Sequence, residues 1–94
     1  MIKEKEIIIK LLSALFPKAK IYLFGSRARG TYKLTSDIDI ALDIGEPISG
    51  LDLVKARNII DALNIPQKVD LVDFNSVPQA LKDNILKEGV VWKI

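Results

Sequence analysis

The chain has 94 residues, 49% of them hydrophobic, and its fourteen basic and twelve acidic side chains leave a net charge of +2. That size suits one domain spanning 1–94, the composition excludes a wholly disordered chain, and the near-neutral charge disfavours nucleic acid as a partner. Cysteine and histidine are both absent, so chemistry must run on carboxylates, hydroxyls, lysines and arginines, a set that favours oxygen-coordinated cations such as magnesium.

Over residues 2–16 the apolar positions Ile8, Leu11, Leu12 and Leu15 recur at helical spacing, which predicts an amphipathic helix stopped by Pro17. Within it, Ile7-Ile8-Ile9 is preceded by charged residues and followed by Lys10. Such a run suits neither a secretory leader nor a membrane span, so a cytoplasmic location with no membrane partner is expected. Residues 20–24 are short and apolar and end at Gly25, which reads as a buried strand. The polar stretch 25–36 reads as a loop or a short helical turn. Residues 37–43 alternate with period two, placing Ile38, Ile40 and Leu42 on one face and Asp37, Asp39, Ala41 and Asp43 on the other.

Gly45, Pro47 and Gly50 mark a loop, and a helix is expected over 51–63 with Leu53, Ala56, Ile60 and Leu63 as its apolar stripe and Ser49 as N-cap. A strand is expected over 68–74 after Pro66. Pro78 opens a further helix that carries Leu81, Ile85 and Leu86 and ends at Gly89, and residues 90–94 read as a last strand. The expected fold is α/β (α+β), a small mixed sheet flanked by helices in the order α-β-β-α-β-α-β.

The chemistry-bearing stretch is Gly25-Ser26-Arg27-Ala28-Arg29-Gly30, followed by Ser36-Asp37-Ile38-Asp39. Two acids two positions apart on a strand leave the same face. They repel each other when ionised, and a divalent cation resolves the conflict. If the first two strands are antiparallel and the helical crossover makes the second and third parallel, Gly25-Ser26, Asp37, Asp39 and Asp70 meet at one end of the sheet. Gly25 would let backbone N–H groups approach a phosphate, Ser26 can donate to a phosphate oxygen, and Arg27 and Arg29 add cationic donors. Such donors beside acids are what nucleotidyl transfer requires, with two cations about 3.5–4 Å apart clamping the attacking and leaving oxygens.

These residues resemble the minimal nucleotidyltransferases of the DNA polymerase β superfamily, whose hallmark is Gly-Ser, ten residues, then Asp-x-Asp. Here it reads Gly25-Ser26, residues 27–36, then Asp37-Ile38-Asp39, with Arg27, Arg29, Gly30 and Ser36 around the core and a third acid in Val69-Asp70-Leu71-Val72. The resemblance implies a polymerase β palm-like nucleotidyltransferase fold. It further implies that Asp37 and Asp39 bind two Mg²⁺ ions, that Asp70 completes the second site and helps activate the attacking hydroxyl, and that Gly25 and Ser26 hold the β- and γ-phosphates of ATP, with Arg27, Arg29 and Ser36 as further nucleotide-binding residues. It implies a helical HEPN-class protein as partner, silenced as in a toxin–antitoxin pair when AMP is attached to it.

The chief alternative is a non-catalytic module that neutralises a partner toxin by occlusion. Asp73 rivals Asp70 as the third acid, although Asp70 lies nearer the expected catalytic end. Lys33, Asp43 and Asp73 are otherwise expected to be surface charges. Tyr22 and Trp92 are expected in the core or against a partner, and a homo-oligomer is left open.

Overall fold

In the computed structural model, which describes residues 4–94, eight elements follow in chain order. They are α1 (Lys5–Leu15), β1 (Lys20–Phe24), α2 (Ser26–Arg29), β2 (Ile38–Asp43), α3 (Gly50–Asp61), β3 (Val69–Asp73), α4 (Gln79–Glu88) and β4 (Val90–Lys93). Only α2 lies outside the expected order, which had allowed a short helical turn there. A four-residue helix is too short to show an apolar period. It is closed by Gly30, at φ 77°, whose N–H donates to the Ser26 carbonyl. The first residue of the expected leading helix, Ile2, lies outside the described residues.

The sheet runs β3-β2-β1-β4. β1 pairs antiparallel with β2 and with β4, while β2 and β3 are parallel across the α3 crossover. Period-two alternation divides the interior into two layers. On one face Ile21, Leu23, Ile38, Ile40, Leu42 and Leu71 pack with Ile8 and Leu12 of α1 and Ala56 and Ile60 of α3. On the other, Tyr22, Ala41 and Phe74 meet Ile85 of α4, and the rings of Tyr22 and Phe74 stack with centroids 5.8 Å apart. Complete burial of side chains such as Ile8, Ile40 and Ile85 contributes about 1.5–3 kcal/mol each relative to exposure. Trp92 packs half-buried against the α1/α3 layer.

Local chemistry sets the element ends. Ser49 caps α3 by accepting from the Asp52 N–H at 3.2 Å, as its position before an apolar run predicts. Arg57 reaches from α3 to edge strand β3 and donates to the Leu71 carbonyl at 2.9 Å, which occupies a polar group that an open edge would expose.

Asp73 corrects the expectation of a surface charge, because it is buried, with 5% of its surface exposed. Its carboxylate accepts from the Ile48 N–H at 2.8 Å, the Ser76 hydroxyl at 2.6 Å and the Asn75 N–H at 3.0 Å. Three donors from two loops supply the partners a buried carboxylate needs. Asp43 is likewise no free surface charge. It is half-buried and accepts from the Gly45 N–H and the Asn75 amide.

Candidate active site

The site is built on the end of the sheet where β1 finishes and β2 and β3 begin. In the antiparallel pair Phe24 stands opposite Asp39, and in the parallel pair Asp39 stands beside Asp70. Asp39 is therefore central, with the Gly25 turn on one flank and Asp70 on the other. Asp37 precedes β2 by one residue and is exposed, as is Asp70, whereas Asp39 is half-buried. Because Ile38 and Ile40 point into the α1/α3 layer, Asp37 and Asp39 point to the opposite face, where α4 lies.

Asp73 stands beside Leu42, at the far end of the β2–β3 pairing. By alternation it shares the Val69 and Leu71 face, opposite to Asp70. Its three hydrogen bonds engage it with the loops around Ile48 and Ser76.

Gly25 lies directly against Asp39. Its backbone is at φ 76°, ψ −155°, a region in which residues with a Cβ are strained. A Cβ added there would land on Asp39 Oδ2. The turn leads straight into α2, whose first N–H groups have no partner within the helix and form the donor end next to the acids. Ser26 opens α2, half-buried.

Electrostatics report the crowding of these groups. The Asp39 carboxyl is held above its ordinary value first by burial, then by the negative charges of Asp70 and Asp37, and Arg29 and Lys68 partly offset the rise. Asp39 of β2, Asp70 of β3 and Asp37 just before β2 thus share one field. Among the described residues no group of three or more carboxylates is placed to hold a metal ion by itself. Magnesium does not need one, because it is commonly held by one or two carboxylates together with phosphate and water oxygens. The donor set fits it: hard oxygens only, mutually repelling, with no histidine or cysteine in the chain.

The arginines are occupied differently. Arg27 donates to the Leu34 and Ser36 carbonyls at 3.3 and 3.1 Å and lies 4.8 Å over the Tyr32 ring, so it braces the loop between α2 and β2. Ser36 supports the same loop, its hydroxyl accepting from the Lys33 N–H at 2.9 Å. Arg29 is paired with Glu88 at 3.8 Å. Lys68 and Glu88 belong to this neighbourhood and were missed from sequence. For Lys68 a signal existed, since Lys68-Val69-Asp70 alternates and puts Lys68 on the face of Asp70. Glu88 is distant in the chain and carries no local signal.

A family model described as polymerase beta, nucleotidyltransferase matches residues 6–92. The protein adenylyltransferase MntA of Thermococcus cleftensis is 35% identical to this chain over 86% of the chain and 81% of the relative. A crystal structure of a toxin–antitoxin with AMP-PNP superposes with a TM-score of 0.79 at 34% identity, covering 94% of this chain and 71% of that one. A complex of a tri-AMPylated Shewanella oneidensis HEPN toxin with its MNT antitoxin gives a TM-score of 0.73 at 31% identity, covering 95% and 68%.

Proposed function

Because this chain belongs to the polymerase beta nucleotidyltransferase family, we propose that it is a protein adenylyltransferase and antitoxin, moving AMP from ATP to a hydroxyl of a HEPN-class toxin. The observation that carries the reading is the register of Asp39 with Asp70 beside the Gly25 turn. Support for ATP as donor comes from the relative solved with AMP-PNP, and support for the acceptor from the relative solved with an AMP-bearing HEPN toxin.

In this reading residues 1–94 act as a single minimal nucleotidyltransferase domain working in the cytoplasm. Among the described residues no helix is long and apolar enough to cross a membrane. Asp37, Asp39 and Asp70 are the residues that would hold Mg²⁺. When bound, the metal supplies charge neutralisation at the oxygens of an in-line displacement. Gly25 and Ser26 hold the β- and γ-phosphates through backbone N–H groups and the Ser26 hydroxyl. Arg29 adds a cation on the same flank, while Arg27 and Ser36 act by keeping the adjoining loop in shape. Asp70 faces the acceptor and takes up the hydroxyl proton. The acceptor oxygen bonds to the α-phosphorus, and the bond from that phosphorus to the pyrophosphate oxygen breaks.

The test is to mix the purified chain with its HEPN-class partner, ATP and Mg²⁺ and measure the partner's intact mass. The expected result is an increment of one or more AMP units. An unmodified partner with every nucleotide tried would end the transfer reading. Asp39→Asn then separates catalysis from occlusion: loss of both modification and neutralisation supports transfer, whereas full neutralisation without modification supports occlusion.

A further inference from the structure

We propose that Lys68 is a catalytic residue on the acceptor side of the site, donating a hydrogen bond to the attacking hydroxyl oxygen as that oxygen loses its proton. The proposal rests on the transfer reading above and assigns a role to a residue that the Gly-Ser and Asp-x-Asp motif does not contain.

The Ile38 N–H donates to the Lys68 carbonyl at 2.8 Å, which extends the β2–β3 ladder one step beyond the Ile38–Val69 pair. Lys68 is therefore level with Asp37 and, by alternation, on the same face as Asp70. Val69 turns the other way, into the α1/α3 layer.

Across the sheet the order is β3-β2-β1, so the Gly25 turn, the central acids and the Lys68/Asp70 pair lie on successive strands, roughly 4.8 Å apart. An in-line displacement puts the entering and leaving oxygens on opposite sides of the phosphorus. With pyrophosphate at the Gly25 turn, the hydroxyl must enter over β3. That strand is an edge, so no further strand of the sheet blocks the approach.

Two cations act on Asp39, Arg29 and Lys68. Arg29 is tied to Glu88. Lys68 is exposed, and among the described residues its ammonium makes no ion pair. An acceptor oxygen arriving beside these carboxylates develops negative charge against like charge, and the Lys68 ammonium on the same face offsets part of that repulsion. The step balances. The hydroxyl proton passes to Asp70, the oxygen–phosphorus bond forms, pyrophosphate departs, and Lys68 contributes a hydrogen bond alone.

The experiment compares wild type with Lys68→Ala, Lys68→Arg and Lys68→Glu, using ATP, Mg²⁺ and the HEPN-class partner. Readouts are the single-turnover transfer rate, KM for ATP, Kd for AMP-PNP and the thermal midpoint. Lys68→Ala is expected to slow transfer by roughly tenfold to a hundredfold, below the roughly hundredfold to thousandfold cost of removing a water-excluded transition-state donor because Lys68 is exposed. KM for ATP and Kd for AMP-PNP should stay within about twofold and the midpoint should fall only slightly, because Lys68 is exposed and its one electrostatic contribution is a partial offset of the charge on Asp39. Lys68→Arg should recover part of the rate, and Lys68→Glu should fall below Lys68→Ala. An unchanged rate in Lys68→Ala, or a loss that appears in nucleotide binding, overturns the assignment. If wild type itself transfers nothing, the transfer reading has failed, and that result is distinct from a failure of the Lys68 assignment.

Discussion

Asp39 stands between a backbone turn and two other carboxylates, and its raised proton affinity has a consequence for stability. The native fold binds this proton more tightly than the unfolded chain does. The resulting stabilisation is fully present below the ordinary aspartate value of 3.8 and is lost as pH rises through the higher native value. At neutral pH the ionised side chain therefore works against the fold. Asp39→Asn should raise the thermal midpoint in chelator at pH 7, narrow that gain as pH falls toward 4, and shrink the extra stabilisation from Mg²⁺ with AMP-PNP. A lower midpoint for the variant in chelator would show that this charge is not crowded. Gly25→Ala probes the opposite flank of the same carboxylate. The backbone there costs about 1–3 kcal/mol for a residue with a Cβ, and the added methyl collides with Asp39 Oδ2. The expected result is a midpoint lowered by roughly 5–15 °C. AMP transfer should also be lost in the fraction that stays folded, and a fully active, fully stable Gly25→Ala would remove the close approach from the account.

At the scale of elements, β3 divides its acids between two tasks. Asp70 faces the site, while Asp73 ties the loop at Ile48 and the loop at Ser76 to the far end of the strand. Asp73→Ala leaves the buried Ile48 N–H without its partner, at a cost of about 1–3 kcal/mol. It should lower the midpoint while Kd for AMP-PNP with Mg²⁺ stays within about twofold. Unaltered stability combined with lost nucleotide binding would make Asp73 the third acid instead. The sequence marked both residues as acids on one strand, and period two put them on opposite faces. It could not show that Asp73 is buried, because its donors come from residues 48, 75 and 76, and such pairing depends on loop conformation. The same limit hid α2, which is too short for a period, and the engagement of Arg27 with the Leu34 and Ser36 carbonyls. The strands, three longer helices and the Ser49 cap were legible because each depends on nearby residues: alternation, apolar stripes and a capping hydroxyl.

At the scale of the molecule, the parallel β2–β3 pair and the antiparallel β1–β2 pair bring three strand ends to one rim. The right arrangement of short-range signals was enough to predict that meeting, since a helical crossover implies parallel neighbours and a short polar connection permits an antiparallel one. Lys68 went unnoticed for a different reason: a lone lysine at a strand start resembles any solvated charge until its neighbours are known. Both layers of core stand behind the rim without contributing to it chemically, which fixes Asp39 and Asp70 on strands and Asp37 one residue before one. The claim that unites these scales is that the rim breaks the bond between the α- and β-phosphates of ATP and leaves AMP on the partner. Parallel reactions with ATP labelled at the α- or the γ-phosphate, run with Mg²⁺ and the HEPN-class partner, test it most directly. The account predicts that only the α label becomes protein-bound, that chelator abolishes it, and that Asp39→Asn reduces it by roughly a hundredfold or more. Label arriving from the γ position, or α label arriving undiminished in chelator, would contradict it.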